Sequence, residues 1–185
     1  MNKIYLSSDF HFGHSREFLY GPRGFESIEE HDNKIIENWN LIVTPNDICY
    51  ILGDCMLNDN IHGIECLKQL NGELHIIAGN HCTNTRIELY KQLPNVIFEG
   101  YGMPLKYKKY HFFLSHYPTL TSNFDYGEPL KKQVISLCGH SHTKDKFADI
   151  DKGLIYHVEL DAHNNKPVLI DDIINNLKEY KETSI

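Results

Sequence analysis

KIYLSSDFH, residues 3–11, is a short apolar run that turns abruptly into carboxylate and imidazole. Residues 3–8 predict a buried strand, and Asp9 opens the loop at its C-terminal end. The same grammar recurs along the chain. Residues 47–52 (DICYIL) predict a second buried strand running into Gly53-Asp54. Residues 73–78 (ELHIIA) predict a third, running into Gly79-Asn80-His81. Residues 111–115 end in His116, and residues 134–138 run into Gly139-His140-Ser141-His142. Five apolar runs thus end in residues that can hold a metal.

Helices are expected between the early strands. Ser27 and Glu30 have capping-box spacing, and Ile28, Ile35, Trp39 and Ile42 recur at helical intervals, so 27–43 reads as a helix broken by Pro45. Residues 61–70 form a shorter helix stopped by Asn71-Gly72, and 85–93 another stopped by Pro94-Asn95. The second half reads differently. Strands at 97–99, 104–108 and 111–115 follow one another closely, 127–132 is loop-like, and 154–160 is a further strand. Residues 171–180 form a last helix. Strands alternating with helices, then strands following strands, predict an α/β fold whose second half is more antiparallel. Two packed sheets flanked by helices satisfy it, in one domain spanning 1–185.

Ligands of open α/β sheets bind beyond the carboxyl ends of the strands, so the five segments can converge there. Imidazole and carboxylate together suit a pair of divalent ions such as Zn, Mn, Fe or Co. In Asp9-Phe10-His11 and His140-Ser141-His142, alternate residues point to one side if the backbone stays extended. The glycines before Asp54, Asn80 and His140 permit tight turns and close backbone approach. Each segment alone is weak evidence. Gly-Asp after a strand is usually a plain turn, and a lone His is usually structural. All five in this order are hard to explain by chance.

DFH, GD, GNH, a lone H and GHSH, from Asp9 to His142, resemble the motif series of the calcineurin-like metallophosphoesterases, and among them a small single-domain microbial or phage type. The resemblance implies a four-layer α/β/β/α sandwich of two mixed β-sheets flanked by helices. It implies that Asp9, His11 and His142 hold a first divalent ion, that Asn80, His116 and His140 hold a second, and that Asp54 bridges them. Manganese is the first expectation, with Fe, Zn, Co or Ni as others. It further implies phosphoester hydrolysis by in-line attack of a metal-bridging hydroxide, with Asp54 and His81 as catalytic groups. Asn80 would also face substrate. Two ions bring a charge of +4, which Asp9, Asp54 and a hydroxide offset only in part, leaving a site suited to a phosphoester anion.

In that family an acid commonly follows GNH, where this chain has Cys82. Cys is a poor acceptor, so another group would have to orient His81, and the thiol itself could be redox-sensitive. His14 and Arg16 follow the first motif and are candidate substrate contacts, Arg16 because its planar fork matches phosphate. Asp161 could buttress a ligand histidine from behind. Asn164-Asn165 before Pro167 read as a turn, and His31, His62, His75, His111 and His157 as structural or surface residues.

With 185 residues, 41% of them hydrophobic, the chain can bury a sizeable core. It has no apolar run near the roughly 20 residues of a membrane helix and no secretory leader, so a cytoplasmic protein is expected. Five cysteines without a CxxC pair fit a reducing compartment. The net charge of −7 argues against broad binding to a nucleic-acid backbone. Lysine clusters at 106–109 and 131–132 keep a nuclease acting on nucleic-acid ends as an alternative, if they rim the site. A non-catalytic metal-binding interaction module is the other alternative. The leading expectation is a phosphodiesterase acting on nucleotides or other small phosphoesters.

Overall fold

The computed structural model describes residues 2–184. The apolar run after Lys3 forms strand β1 (Ile4–Ser7). It lies beside β2 (Ile48–Leu52), which lies beside β3 (Glu73–Ile77) and then β4 (Val96–Gly100), all parallel. A two-residue strand, β9 (Val168–Leu169), closes the other edge antiparallel to β1. The inner strands β1 and β2 are buried on both faces, so they read as continuous apolar runs rather than alternating ones, while the edge strand β4 is only partly buried. On one face pack α2 (Ile28–Asn40), α3 (Asn60–Leu67) and α4 (Asn84–Tyr90), around fully buried Phe10, Trp39, Ile51 and Leu67. Trp39 also donates its indole N–H to the Asn71 carbonyl at 2.9 Å. Removing so large a buried side chain typically costs about 3–5 kcal/mol.

The second sheet runs β5 (Gly102–Tyr107), β6 (Tyr110–Ser115), β7 (Val134–Cys138) and β8 (Ile155–His157). Leu6, Leu52 and Ile77 of the first sheet meet Leu114, Leu137 and Tyr156 of the second in one apolar cluster. Ile173, Ile174 and Leu177 of α5 (Ile170–Thr183) join the same cluster. The architecture is therefore the expected sandwich of two mixed sheets flanked by helices.

Several local expectations are adjusted. The second half is not mainly antiparallel. Only β5–β6 is an antiparallel pair in that sheet, while β6–β7 and β7–β8 are parallel. The long connections 116–133 and 139–154 make this possible, because parallel neighbours need a crossover of a dozen or more residues. The strand expected at 97–99 belongs to the first sheet, at its edge. The strand expected at 154–160 ends at His157, and the chain then makes a 3-10 turn, Leu160–His163. A further 3-10 turn, Leu130–Lys132, lies inside the expected loop, and the short α1 (Glu17–Tyr20) had no sequence signal. Ser27 caps α2 as expected, accepting the Glu30 N–H at 3.1 Å. Glu30 returns its carboxylate to the Glu26 N–H instead of that of Ser27. Asn164 and Asn165 both adopt left-handed backbone, as a turn before Pro167 requires.

Candidate metal centre

Parallel alignment brings the C-terminal ends of β1, β2 and β3 to one edge, and parallel β6 and β7 bring two more ends to the facing edge of the second sheet. Backbone bonds lock these ends together. Asp9 and His11 donate their N–H groups to the Gly53 and Asp54 carbonyls, at 3.2 and 2.9 Å, and Gly139 donates to His116 at 3.0 Å. The sheets are joined by the His140 N–H, which donates to Asp9 Oδ2 at 2.9 Å, and by a bridge between Ser8 and Glu159.

The pairs Asp9/His11 and His140/His142 do converge, but not through extended backbone. All four residues, and Asp54, have φ between +49° and +74°. Left-handed backbone is disfavoured for residues with a Cβ and persists only where the surroundings over-determine it. Here those surroundings are the interlocked strand ends. The glycines act by close approach. A Cβ on Gly79 would lie 2.2 Å from Asp54 Oδ1, and one on Gly53 would lie 2.6 Å from His116 Nδ1.

Two donor sets result. In the first, His11 Nε2 and His142 Nε2 are 3.1 Å apart, and both face Asp9 Oδ1, at 3.7 and 3.6 Å. In the second, Asn80 Oδ1 lies 2.8 Å from His116 Nε2 and 2.9 Å from His140 Nδ1, and the two nitrogens are 3.2 Å apart. Ions bonded at about 2.0–2.2 Å hold neighbouring donors roughly 3–3.5 Å apart, so the second set is close to that span and the first is slightly wider at Asp9. Their protonation also fits. His116 donates from Nδ1 to the Leu52 carbonyl at 2.8 Å, so when neutral it turns a lone pair toward the Asn80 oxygen. His142 directs Nδ1 to Asp161 at 3.1 Å, leaving Nε2 bare toward Asp9. Asp9 Oδ1 is buried and has no hydrogen-bond partner. A cation relieves each of these arrangements.

The electrostatics point the same way. Burial opposes the charge on Asp9 and on Asp54, but the surrounding imidazoles outweigh it and hold both carboxyls below their ordinary range. Burial lowers His11 and, with His116 beside it, His140. His116 and His142 are pulled down by burial and pushed up further by Asp54, Asp9 and Asp161, for a net rise. This is the negative field a divalent ion would meet.

Around the donors, His81 lines a cleft of about 620 Å³ together with His11, His14, His142, Phe18 and Lys144. Its ring lies 5.5 Å from that of His11. Among the described residues no side chain hydrogen-bonds that ring, and it is the His81 backbone that is held. The His81 N–H donates to Asp54 Oδ1 at 2.9 Å, and its carbonyl accepts from Arg86 at 2.6 Å. Cys82 closes the turn instead, accepting the Gly79 N–H at 3.2 Å, and burial raises its thiol pKa, so it is not poised as a thiolate. His14 is in the cleft wall with Nδ1 3.0 Å from the Asn58 amide. Burial and neighbouring His11 lower it to about 4, so it stays neutral. Arg16 is exposed and does not line the cleft. The lysine clusters are remote. Lys106, Lys108 and Lys109 sit at the β5–β6 hairpin, and Lys131 stacks over Tyr110, all at the end of β6 opposite His116. They do not rim the site.

Arg23, without a sequence signal, organises the back of the centre. It is buried, gives two hydrogen bonds to Asp161 at 3.0 and 2.6 Å, and donates to the Asp9 carbonyl at 2.8 Å. Asp161 is thereby held by Arg23 on one side and faces His142 on the other.

No protein-family model matches the chain. The uncharacterized protein MJ1445 of Methanocaldococcus jannaschii is 34% identical over 98% of this chain and 94% of its own length. The chain belongs to the family of that archaeal protein. The fold of this MJ1445 family is seen in the protein of unknown function AQ665 from Aquifex aeolicus, with a TM-score of 0.71 and 21% identity over 95% of this chain and 99% of its own. A novel archaeal phosphodiesterase overlaps more loosely, with a TM-score of 0.48 and 18% identity over 84% of this chain and 82% of its own. Among the described residues, no helix is long and apolar enough to cross a membrane.

Proposed function

We propose that this protein is a binuclear metal-dependent phosphoesterase of the calcineurin-like class, acting on phosphodiesters of nucleotide size. The observation that carries the reading is a shared carboxylate. Asp54 Oδ2 stands 3.9 Å from His11 Nε2 in one donor set and 3.4 Å from His116 Nε2 in the other. Asp9, His11 and His142 would hold one ion, Asn80, His116 and His140 a second, and Asp54 both. Manganese is the ion we expect, with Fe, Zn, Co and Ni compatible with the same donors. Such a pair, when bound, supplies Lewis acidity and a water activated at neutral pH.

The chain's own residues supply the rest. His81 faces the same cleft as the first donor set, where its ring can hydrogen-bond a phosphoryl oxygen or protonate the leaving oxygen. The Asp54–His81 backbone contact anchors the His81 main chain beside the bridging carboxylate. Lys144 is the cation of the cleft wall, and Asn80 can touch substrate from the solvent side. Exposed Phe18 lies 5.5 Å from His14, and half-exposed Tyr117 lies 4.7 Å from His140, centroid to centroid. These rings flank the centre and offer stacking faces for a base. A bounded cleft with its lysine clusters at the far pole favours small nucleotides over a nuclease track. Five free cysteines suit the cytoplasm.

The test is a panel of Mn, Zn, Fe, Co, Ni and Mg against a generic diester, a generic monoester, cyclic nucleotides and short DNA. Diester hydrolysis with Mn is expected, and no hydrolysis of any substrate with any ion would overturn the enzyme reading. His81→Ala should retain its ions and lose roughly 100-fold or more in turnover, the usual scale of acid–base assistance. Wild-type turnover in that variant with metal bound would remove His81 from the chemistry.

A further inference from the structure

We propose that Asp32, His62 and Cys66 form a third divalent-cation site, separate from the metal pair. Asp32 comes from α2, and His62 and Cys66 lie four residues apart on α3, on one helical face. Asp32 Oδ2 is 2.7 Å from His62 Nε2, and Cys66 Sγ is 3.4 Å from the same nitrogen. All three donor atoms fall within 4.8 Å of one another. A carboxylate, an imidazole and a thiol are the donors of a zinc-like, borderline-soft ion.

Hydrogen bonding satisfies Asp32 but leaves the Cys66 sulfur with only a weak contact to His62. With its proton on Nε2, His62 donates to Asp32 and presents that N–H to sulfur, a weak acceptor. With Nε2 bare, it can accept from the thiol but then sets a lone pair against a carboxylate. One cation at the common point satisfies all three donors. Asp32 and Cys66 are buried, whereas the His62 side chain is 44% exposed, so an ion has both a dry floor and a path from solvent. Without an ion, burial raises the Cys66 thiol to about 12, so metal binding there releases a proton.

The site is wired to the metal pair. Asp32 Oδ2 also accepts the Gly13 N–H at 2.9 Å, two residues after His11. Asp32 Oδ1 meets His31 Nδ1 at 2.7 Å, and His31 Nε2 meets Arg23 at 3.0 Å. Loading it would therefore pin α2 to α3 and steady the Arg23–Asp161 support.

Cobalt(II) titration of the reduced protein tests this, because no thiol belongs to either donor set of the metal pair. The expected result is a thiolate-to-cobalt charge-transfer band, lost in Cys66→Ser and in His62→Ala and kept in Cys82→Ser. Wild type should also bind one more ion per chain than either of the first two variants. His62 is half-exposed, so His62→Ala reads the site even if Cys66→Ser folds poorly. Equal ion counts in wild type and His62→Ala, or a band that survives in Cys66→Ser, would overturn the proposal. Because the comparison is between variants, it stands whether or not the metal pair fills.

Discussion

Gly139→Ala is expected to empty the first donor set. A Cβ at this position would lie 2.1 Å from Ser8 Oγ and 2.3 Å from Asp9 Oδ2. Neither neighbour can yield. Ser8 donates to Asp9 Oδ2 at 2.6 Å, the His140 N–H donates to the same oxygen at 2.9 Å, and both residues are fully buried. The methyl must push Asp9 out of line or part the two sheets at this point. Overpacking of this kind costs about 1–3 kcal/mol in stability. The larger effect is on the centre, where a displacement of about 1 Å can cost roughly 100-fold in rate. Metal content by mass spectrometry of the intact protein should fall by at least one ion per chain, and phosphoester turnover should fall with it. Gly21→Ala is the control. Its Cβ would meet only Glu17 Cγ at an ordinary 3.4 Å, so metal content and melting temperature should hold. Full metal loading of Gly139→Ala would mean that Asp9 is not a ligand or that the strand ends are softer than their bonding implies.

Arg23→Ala should be the most destabilising change outside the apolar core. It strips the only arginine from a buried set comprising Asp161, the Asp9 carbonyl and His31. Breaking a buried ion pair by deleting one partner costs about 3–5 kcal/mol, because the other charge is left stranded. For a chain of this size that corresponds to a fall of about 10 °C in melting temperature. Metal affinity should drop roughly 10–100-fold as Asp161 loses its hold on His142. The pH dependence separates this from a simple packing loss. Burial works against the Asp161 charge, but His142 and Arg23 outweigh it and hold the carboxyl down at about 2, against 3.8 unperturbed. The native state thus binds fewer protons than the unfolded chain. The contribution, roughly 2–3 kcal/mol at about 1.4 kcal/mol per pH unit, is complete above about pH 5 and is lost as pH falls toward 2. Urea melts of chelator-treated protein across that window should show this loss in wild type and a flatter profile in Arg23→Ala. A wild-type melting temperature for the variant at neutral pH would refute the role given to Arg23.

The strand-end segments were legible because each joins two local signals, an apolar run and a polar donor directly after it. Parallel pairing then aligns the ends without further instruction. The backbone that delivers the donors was not legible. Asp9, His11, Asp54, His140 and His142 adopt left-handed conformations that their own types disfavour, imposed by bonds to segments far away in sequence. Extended alternation was the local inference, and tertiary contacts overrode it. Arg23 was invisible for a related reason. In a Gly-Pro-Arg-Gly turn an arginine looks solvent-exposed, and only the fold brings Asp161 to it. Arg16 was a candidate phosphate contact from its position after the first motif, yet it stands exposed at the N-terminal end of α1. The pairing of Asp32 with His62 and Cys66 likewise depends on how α2 meets α3. The parallel crossovers of the second sheet escaped because their long connections carry little regular structure.

The donors come from both layers of the sandwich. Asp9, His11, Asp54 and Asn80 follow strands of the first sheet, and His116, His140 and His142 follow strands of the second. On the proposed ligand assignment, an ion held by Asp9 and His142 would be a non-covalent staple closing a loop through most of the chain, and one held by Asn80 and His140 would close a loop of about a third of it. Closure entropy grows only slowly with loop length, so a long loop is no obstacle to so few bonds. Chelation then acts as a selective denaturant of one rim. Amide exchange should quicken first where β6 and β7 reach the centre, while the apolar middle of the sandwich, around Leu114, Leu137 and Tyr156, stays shut.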